Sequence, residues 1–203
     1  MMHSKGFICA TDGNVSVKIS NDAYLITRSG INKCFMSESD IVLINSNGKV
    51  IEGETGHSVS TEWRMHLKAY EIRKDVNAVI HAHPPYITAY TIAGVEIPSM
   101  ILPEIVLTMG NIPVTKGNST PTSPDNALLI EQHITKYDAI VLSRHGTLTV
   151  GKDLFSAYNK LEQLEYTAIT GLAATMLGGC NSLPSNEIEK LFKMGKEMGF
   201  LKE

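Results

Sequence analysis

The chain has 203 residues, a formal net charge of −3 and a sequence pI of about 6.2. A chain of this length can bury a core without disulfide support, and we expect one domain over residues 1–203. The slightly acidic balance argues against a nucleic-acid partner, because binding to the phosphate backbone usually requires a basic excess. A small anion can still bind through local dipoles, so a phosphorylated substrate remains compatible with the composition.

The three cysteines, Cys9, Cys34 and Cys180, are odd in number and far apart. This pattern is neither a disulfide framework nor a paired metal spacing, and it is typical of a reducing compartment. The N-terminus has no signal-peptide pattern, and no run approaches the roughly 18 to 20 apolar residues of a membrane span. We therefore expect a cytoplasmic protein without a membrane partner.

Short apolar runs predict four strands in the first quarter of the chain, at residues 14–19, 23–27, 41–44 and 49–51. An Asn47–Gly48 pair separates the last two and predicts a hairpin. A helix is predicted over 61–73, since apolar and aromatic positions there recur at i, i+3, i+4 and i+7.

The remaining chain alternates between the two kinds of element. Three more strands are predicted at 78–83, 138–143 and 147–150. Four more helices are predicted at 86–93, 125–134, 153–177 and 186–200. Two of the strand pairs are hairpins, which interrupts any strand–helix–strand alternation. We therefore expect an α/β protein with helices around a largely antiparallel sheet.

The tripeptide His81-Ala82-His83 lies at the end of a predicted strand. Side chains in a strand alternate between its two faces, so both imidazoles project to the same side. Neighbouring positions on one face can bind a single tetrahedral ion. Two ordinary histidines on a partly exposed strand explain the same short pattern about equally well.

A third ligand has to come from elsewhere in the chain, and His145 is the candidate. It ends a buried predicted strand, directly before Gly146, where the chain can turn sharply. Three histidines leave one coordination position open, which is typical of a catalytic site. Imidazoles suit zinc best, with manganese or cobalt as alternatives.

Glu62 lies at the start of the helix predicted over 61–73. A carboxylate there can simply cap the helix or interact with its dipole. A catalytic role requires Glu62 to lie beside the metal and to move a proton. The local sequence leaves both interpretations open. His66, one helical turn later, could support Glu62, although a packed helix histidine is the commoner case.

Three small polar turns could bind an anion through hydroxyl, amide and backbone N–H groups. They are Gly13-Asn14-Val15-Ser16, Ser29-Gly30 and Ser60-Thr61. Each turn is a weak signal, because serine and glycine occur in most turns. Arg28 could add a charged contact or could point into water.

Together these segments resemble the class II aldolase/adducin family from Asp12 to about Lys202. The most specific stretch is STEWRMHLKAYEIRKDVNAVIHAH, residues Ser60 to His83, in which the glutamate-to-histidine spacing is that of the family's aldolases. GNVS, ITRSG and the strand ending in RHG also match. The resemblance implies a three-layer α/β/α fold and a homotetramer with active sites at subunit interfaces.

The resemblance also implies roles for individual residues. His81, His83 and His145 would hold zinc, and Glu62 would be the fourth neighbour of the resting ion and the acid/base during turnover. The groups assigned to the substrate phosphate would be Asn14, Ser29, Gly30, Ser60 and Thr61. The implied reaction cleaves a ketose 1-phosphate, such as L-fuculose 1-phosphate, to dihydroxyacetone phosphate and an aldehyde through a metal-stabilised enediolate.

The chain departs from the family's aldolases in two places that concern proton transfer. A tyrosine that follows an Ile-Pro pair in those enzymes is absent after Ile97–Pro98. A second tyrosine, near their C-terminus, has no counterpart in residues 197–203. The candidate replacements as proton donor are Tyr86, Tyr90 and Glu104.

Other functions occur on the same scaffold. The family's sugar-phosphate 4-epimerases carry aspartate at the position of Glu62, which favours an aldolase here. Methylthioribulose-1-phosphate dehydratases use glutamate and remain an alternative. A non-catalytic adducin-like assembly module is a third alternative. It is disfavoured because the adducin head domain lacks the metal histidines.

Overall fold

The computed structural model of the protein describes residues 1–54, 56–117, 123 and 125–202. Within those residues, seven strands form one sheet in the order β4-β3-β2-β1-β5-β7-β6, with antiparallel neighbours throughout. The strands are β1 (Asn14–Ser20), β2 (Ala23–Thr27), β3 (Ile41–Ile44), β4 (Val50–Glu52), β5 (Ala78–Ala82), β6 (Ala139–Leu142) and β7 (Gly146–Gly151).

The helices cover both faces of the sheet. They are α1 (Trp63–Ile72), α2 (Pro85–Ala93), α3 (Pro103–Thr108), α4 (Asn126–Ile134), α5 (Leu154–Met176) and α6 (Ser185–Glu197). Helices α1 and α4 pack together on one face, α2 and α5 pack on the other, and α3 packs against α6. The predicted three-layer α/β/α architecture around an antiparallel sheet is therefore confirmed. None of the described helices has the length and apolarity needed to cross a membrane.

Strand β5 lies inside the sheet, between β1 and β7, and is buried along its whole length. Val79 packs into the core beneath α1, whereas Ile80 packs with Leu161 of α5 on the opposite face. Residues two apart share a face, so His81 projects to the same side as Val79. The fold thereby directs the first histidine of the His-x-His pair towards helix α1.

Strands β6 and β7 form the predicted hairpin, and Leu142 pairs with Gly146 across its closed end. The connecting turn contains Arg144, which has a φ of +57°. A Cβ at Gly146 would overlap the carbonyl oxygen of Ala82 and lie 2.8 Å from Cδ2 of His83. Glycine at this position therefore allows β7 to approach β5 beside the second histidine.

Some boundaries differ from the prediction. Helix α3 was not predicted, since Pro103–Thr108 is too short to show a helical period. Helix α1 begins at Trp63 rather than at residue 61, and α6 ends at Glu197 rather than at 200. Pro124, half of the predicted start signal for α4, lies outside the described residues.

Candidate metal centre

The structure brings three histidines together at one end of the sheet. His81 and His83 come from the end of β5, and His145 comes from the turn before β7. The ring centroids lie 4.7 Å apart for His81–His83 and for His81–His145, and 4.8 Å apart for His83–His145. One nitrogen from each ring lies within 4.8 Å of the others, which is compatible with shared coordination of a metal ion.

Glu62 points into this cluster. Its Oε2 lies 3.1 Å from Nε2 of His81, and its Oε1 lies 3.3 Å from Nε2 of His145. The Asn14 amide donates a 3.0 Å hydrogen bond to Oε2. Glu62 occupies the N-cap position of α1, yet its side chain makes no capping hydrogen bond. The capping interpretation is therefore wrong, and the carboxylate faces the imidazoles instead.

The contacts around the cluster fit a tetrahedral ion. Zn–N bonds near 2.0–2.1 Å place two ligands of a tetrahedron about 3.3 Å apart. The carboxylate-to-imidazole distances of 3.1 and 3.3 Å match this separation, whereas Nε2 of His81 and Nε2 of His83 are closer, at 2.8 Å. A set of three imidazoles and one carboxylate is a typical zinc donor set.

The outer contacts of two imidazoles direct their free nitrogens to the cluster. Nδ1 of His81 lies 2.9 Å from the backbone carbonyl of Thr147, which can only accept, so this nitrogen carries the proton. Nε2 of His81 is then free to accept a metal ion. Nδ1 of His83 lies 3.5 Å from the carboxylate of Asp12. Carbonyl and carboxylate partners of this kind orient metal-binding histidines in many proteins.

Electrostatics favour the neutral forms of the His83 and His145 imidazoles and the charged form of the Glu62 carboxylate. Burial, followed by the neighbouring His81 charge, lowers the pKa of His145 to about 4, and the same causes lower the pKa of His83. Burial acts to raise the pKa of Glu62, but the hydrogen bond and charge of His81, the charge of His145 and the Asn14 amide outweigh it. The pKa of Glu62 is therefore well below its ordinary value. Neutral imidazoles and an ionised carboxylate are the forms that bind a cation.

Helix α1 and strand β1 are joined by a second set of buried polar contacts next to the Asn14–Glu62 pair. Oγ of Ser16 lies 2.7 Å from Nδ1 of His66 and 2.7 Å from the hydroxyl of Tyr70. Asn14 and Ser16 lie two residues apart on the strand, about 6.7 Å, and Glu62 and His66 lie four residues apart along the helix, about 6 Å. The Asn14–Glu62 and Ser16–His66 contacts therefore lie side by side. Burial lowers the pKa of His66 to about 3. His66 is thus a packed neutral histidine that helps to hold the helix carrying Glu62.

The predicted phosphate groups lie in neighbouring segments. Asn14 pairs with His81 across β1 and β5, which puts it beside the metal cluster. The Ser29 N–H donates to the carbonyl of Ser58, so the Ser29-Gly30 turn runs beside the segment that leads to Ser60. Ser60 is buried and Thr61 is exposed. Arg28 does not point into water, because it pairs with Asp40.

The candidate proton donors differ in their surroundings. A Cβ at Gly171 would lie 2.9 Å from the hydroxyl of Tyr90, so this hydroxyl faces α5 rather than the histidines. Glu104 lies on α3, which packs against α6. Tyr86 is 43% exposed and follows the two prolines after His83. Tyr86 is the candidate nearest in the chain to a metal histidine.

Sequence reasoning missed the groups that orient the imidazoles. The Thr147 contact uses a backbone carbonyl, which leaves no trace in residue type. Asp12 directly precedes the GNVS turn, and its acidic side chain was the available signal for a partner of His83. Ser16 belonged to that turn, but its position two residues from Asn14 indicated a shared strand face rather than an anion site.

Comparison with known proteins identifies the family. The chain matches the family described as "Class II Aldolase and Adducin N-terminal domain" over residues 1–171, and it belongs to that family. A relative from Methanococcus maripaludis (strain C7), named L-fuculose phosphate aldolase, is 32% identical over 170 residues, which are 83% of this chain and 88% of the relative. A 5-deoxy-D-ribulose 1-phosphate aldolase from Bacillus thuringiensis serovar kurstaki is 29% identical over 95% of this chain and 89% of its own.

A solved structure agrees with the sequence relatives. A structure described as L-fuculose 1-phosphate aldolase superposes with a TM-score of 0.84 and 31% identity, covering 96% of this chain and 91% of that one. The class II aldolase fold is therefore shown by both sequence and structure. These relatives are named as aldolases of phosphorylated deoxy sugars.

Proposed function

We propose that this chain is a metal-dependent class II aldolase that cleaves a ketose 1-phosphate to dihydroxyacetone phosphate and an aldehyde. The observation that carries the proposal is the carboxylate of Glu62, held 3.1 and 3.3 Å from two of three converging imidazoles. A carboxylate and three imidazoles can hold a divalent cation beside a proton-transfer group. Family membership and the aldolase relatives support the same class of reaction.

His81, His83 and His145 would hold the ion, with Glu62 as its fourth neighbour. A bound cation supplies Lewis-acid stabilisation of the negative charge that develops on the substrate oxygens when the carbon–carbon bond breaks. Zinc is the ion that three imidazoles and one carboxylate suit best, with manganese and cobalt as alternatives. The backbone carbonyl of Thr147 supports His81 as a ligand, since it leaves Nε2 of His81 free to coordinate.

Glu62 would move the proton at the carbon that becomes nucleophilic. In the condensation direction its carboxylate removes a proton from that carbon of dihydroxyacetone phosphate, and in cleavage it returns the proton. Its lowered pKa keeps it in the basic form at neutral pH. The Asn14 amide fixes the orientation of the carboxylate by donating to Oε2.

The substrate phosphate would bind at the turns beside the metal centre. The groups proposed to contact it are Asn14, Ser29, Gly30, Ser60 and Thr61. Backbone N–H groups and hydroxyls can bind an anion without a cluster of cations, in keeping with the acidic composition. Holding the phosphate converts binding energy at the remote end of the substrate into correct orientation at the reacting carbons.

The substrate class follows from what the named relatives share. L-fuculose 1-phosphate and 5-deoxy-D-ribulose 1-phosphate are both 2-ketoses with a phosphate at carbon 1 and a methyl group at the far end. Cleavage of either gives the same phosphorylated three-carbon product and a methyl-terminated aldehyde, which is lactaldehyde from the first and acetaldehyde from the second. We propose a deoxyketose 1-phosphate of this kind as the substrate.

The assembly would be a homotetramer in the cytoplasm, with active sites at subunit interfaces. Helix α5 supports association, because its outer side and the residue that follows it present large apolar side chains to solvent: Tyr166, Ile169, Leu172, Met176 and then Leu177. Contiguous exposed apolar patches commonly mark protein interfaces. Sedimentation analysis of the purified protein would distinguish a tetramer from a monomer or dimer.

The deciding experiment is cleavage of L-fuculose 1-phosphate and 5-deoxy-D-ribulose 1-phosphate by protein reloaded with Zn²⁺, Mn²⁺ or Co²⁺. We expect dihydroxyacetone phosphate, detected by coupled reduction to glycerol 3-phosphate, and loss of turnover after chelation. Unphosphorylated L-fuculose is the matched control and should react poorly. Release that persists after complete metal removal would contradict the mechanism.

A second candidate, a 4-epimerase or dehydratase, is motivated by the missing tyrosine after Ile97–Pro98. Mass spectrometry of the same reactions separates the alternatives. An epimer keeps the substrate mass, a dehydration product loses the mass of water, and an aldol product has lost part of the carbon chain. Elemental analysis addresses the adducin-like alternative, because near-stoichiometric metal contradicts a purely structural module.

A further inference from the structure

Helix α2 follows His83 in the chain and contacts the loop that carries His145. It begins at Pro85, two residues after His83, and its second turn contacts the segment that ends in His145. This helix is therefore in direct contact with both segments that carry these two imidazoles.

The first turn of α2 is capped by a carboxylate from another helix. Pro84 occupies the N-cap position and offers no side-chain cap, so the N–H groups that follow need an acceptor. Glu165 of α5 supplies it: Oε1 accepts from the Tyr86 N–H at 2.9 Å, and Oε2 accepts from the Ile87 N–H at 2.9 Å.

Glu165 occupies a position where the sequence pattern predicts an apolar side chain. It is 2% exposed, and its neighbours on the same side of α5 include the fully buried Leu161, Leu164 and Ala168. Burying a carboxylate costs free energy unless its oxygens are hydrogen-bonded, and burial raises the pKa of Glu165 despite its two bonds. The two N–H donors and the positive end of the α2 dipole stabilise it.

The second turn of α2 holds the loop that carries His145. Oγ1 of Thr91 donates to the carbonyl of Thr88 at 2.7 Å and accepts from the N–H of Arg144 at 2.9 Å. The Arg144 side chain also donates to the carbonyl of Ile92 at 3.3 Å. Arg144 has a φ of +57°, a conformation that non-glycine residues adopt only when surrounding contacts hold them.

We propose that Glu165 is a positioning residue for the metal centre, which acts through α2 to set the separation of His83 from His145. This inference rests on the metal centre proposed above. Metal–ligand distances tolerate deviations of only about 0.2 Å, so a helix shift on the order of 0.5 Å at either end weakens coordination. Glu165 touches neither substrate nor ion, and its effect is transmitted through the backbone of Tyr86 and Ile87.

The test is Glu165→Gln, which keeps the shape of the side chain. The carboxamide can accept from one backbone N–H but presents its own N–H₂ to the other, leaving a buried donor without a partner. We expect the dissociation constant for Zn²⁺, measured by competition with a chromophoric chelator, to rise about tenfold, as for other groups that support metal ligands. The visible absorption bands of the Co²⁺-loaded protein should also change, since they report the coordination geometry.

Glu162→Gln is the matched control. Glu162 lies three residues earlier on α5, is partly exposed and pairs with Lys5 at 3.1 Å. Its substitution should leave both the Zn²⁺ dissociation constant and the Co²⁺ spectrum unchanged. If the wild-type protein takes up no Co²⁺, the proposed metal centre is wrong. If the wild type binds Co²⁺ and Glu165→Gln gives the same spectrum with affinity within twofold, the positioning role is overturned and the metal centre stands.

Thr91→Val covers the case in which Glu165→Gln does not fold. This substitution nearly preserves side-chain shape and removes the hydroxyl that accepts from the Arg144 N–H and donates to the Thr88 carbonyl within α2. We expect about a threefold weaker Zn²⁺ affinity from loss of the hydrogen bond to Arg144, together with a changed Co²⁺ spectrum. Amide hydrogen exchange at Arg144 should be faster than in the wild type. Unchanged spectrum and affinity in this variant would show that α2 does not position the histidines.

Discussion

The two ends of the sheet carry charged clusters that differ in how completely their polar atoms are hydrogen-bonded. At one end, Glu62 and the three histidines form the candidate metal centre. At the other end, the starts of β5 and β6 meet the C-terminus of α1 in an ion-pair cluster, which consists of Arg73, Asp75, Asp138, Lys160 and Lys202.

In the ion-pair cluster, every side-chain nitrogen of the central Arg73 donates a hydrogen bond. Arg73 donates from Nε and Nη2 to Asp75, from Nη2 to Asp138 at 2.7 Å, and from Nη1 to the carbonyl of Ile134. At the metal end, among the described residues, Oδ1 of Asn14 and Nε2 of His66 are buried without a hydrogen bond. A cluster that completes its own contacts stabilises the fold, whereas one that leaves polar atoms unsatisfied is prepared for a ligand.

The sharpest test of this contrast is Glu62→Gln at the metal end. We expect turnover to fall by about 10² to 10⁴, because the amide cannot exchange the proton at the reacting carbon. The metal-free protein should keep its free energy of unfolding within about 1 kcal/mol, since the amide can remain in contact with the imidazoles. Glu71→Gln, an exposed carboxylate on the same helix that pairs with Lys68, is the control. Near-normal kcat in Glu62→Gln would remove Glu62 from the mechanism.

The opposite outcome is expected for Arg73→Met at the ion-pair end. Removing a buried partner leaves uncompensated carboxylates, and we expect the free energy of unfolding to fall by about 3 kcal/mol. The loss lies at the low end of the range for buried pairs because Asp75 is 56% exposed and Lys160 still pairs with Asp138. Urea denaturation measures the change, and the Zn²⁺ dissociation constant should not move.

Lys193→Met is the control for Arg73→Met. Its pairing with Glu197 is long, at 3.9 Å, and both side chains are exposed. A pair of this kind contributes less than about 0.5 kcal/mol. If Arg73→Met were no more destabilising than this variant, the ion-pair cluster would have no special role in stability.

A smaller effect, on the free energy of metal binding, is expected from His83→Ala, which removes the most exposed of the three imidazoles. Two imidazoles and a carboxylate should still bind a cation, but at least tenfold more weakly. Elemental analysis after extensive dialysis should show metal well below one ion per chain. His133→Ala, on α4, should retain the wild-type content. Equal metal content in both variants would contradict the assignment of His83 as a ligand.

The last prediction concerns pH and the buried His66, whose effect is close to zero at neutral pH and grows as the pH falls. Its folded-state pKa of about 3 lies below the ordinary value of 6.5. As the pH falls from 6.5 towards 3, the unfolded chain binds a proton that the folded chain does not. The free energy of unfolding therefore decreases by up to about 1.4 kcal/mol per pH unit from this group, and levels off below pH 3.

His66→Asn isolates that contribution, because asparagine retains a polar atom for Ser16 but does not titrate. With chelator present, the slope of unfolding free energy against pH between 6 and 4 should be shallower by about 1.4 kcal/mol per unit than in the wild type. Urea denaturation at several pH values provides the comparison. Identical slopes would show that His66 is not a neutral buried group.

Local patterns were sufficient to predict most of the fold. The Asn47–Gly48 pair defined one hairpin, and the apolar stripe of α5 defined its longest helix. The period of two along His81-Ala82-His83 was enough to place both imidazoles on one side of β5. Helix α3 was missed, since six residues are too few to show a helical period.

The candidate site was less accessible to sequence reasoning alone. Whether Glu62 caps its helix or faces the histidines depends on how α1 crosses β1, which no local pattern records. Glu165 was missed because its function depends on the start of a helix far away in the chain. Both positions are determined by tertiary contacts, and the resemblance to a known family provided the assignment of Glu62.

The origin of the proposed metal ligands has a consequence for the lifetime of the protein. They come from the start of α1, the end of β5 and the turn before β7, so a bound cation ties together segments that are distant along the chain. A ligand at one hundred times its dissociation constant adds about 2.7 kcal/mol to stability, comparable to a disulfide. Metal starvation in a cell would therefore expose this enzyme to proteases as well as silence it.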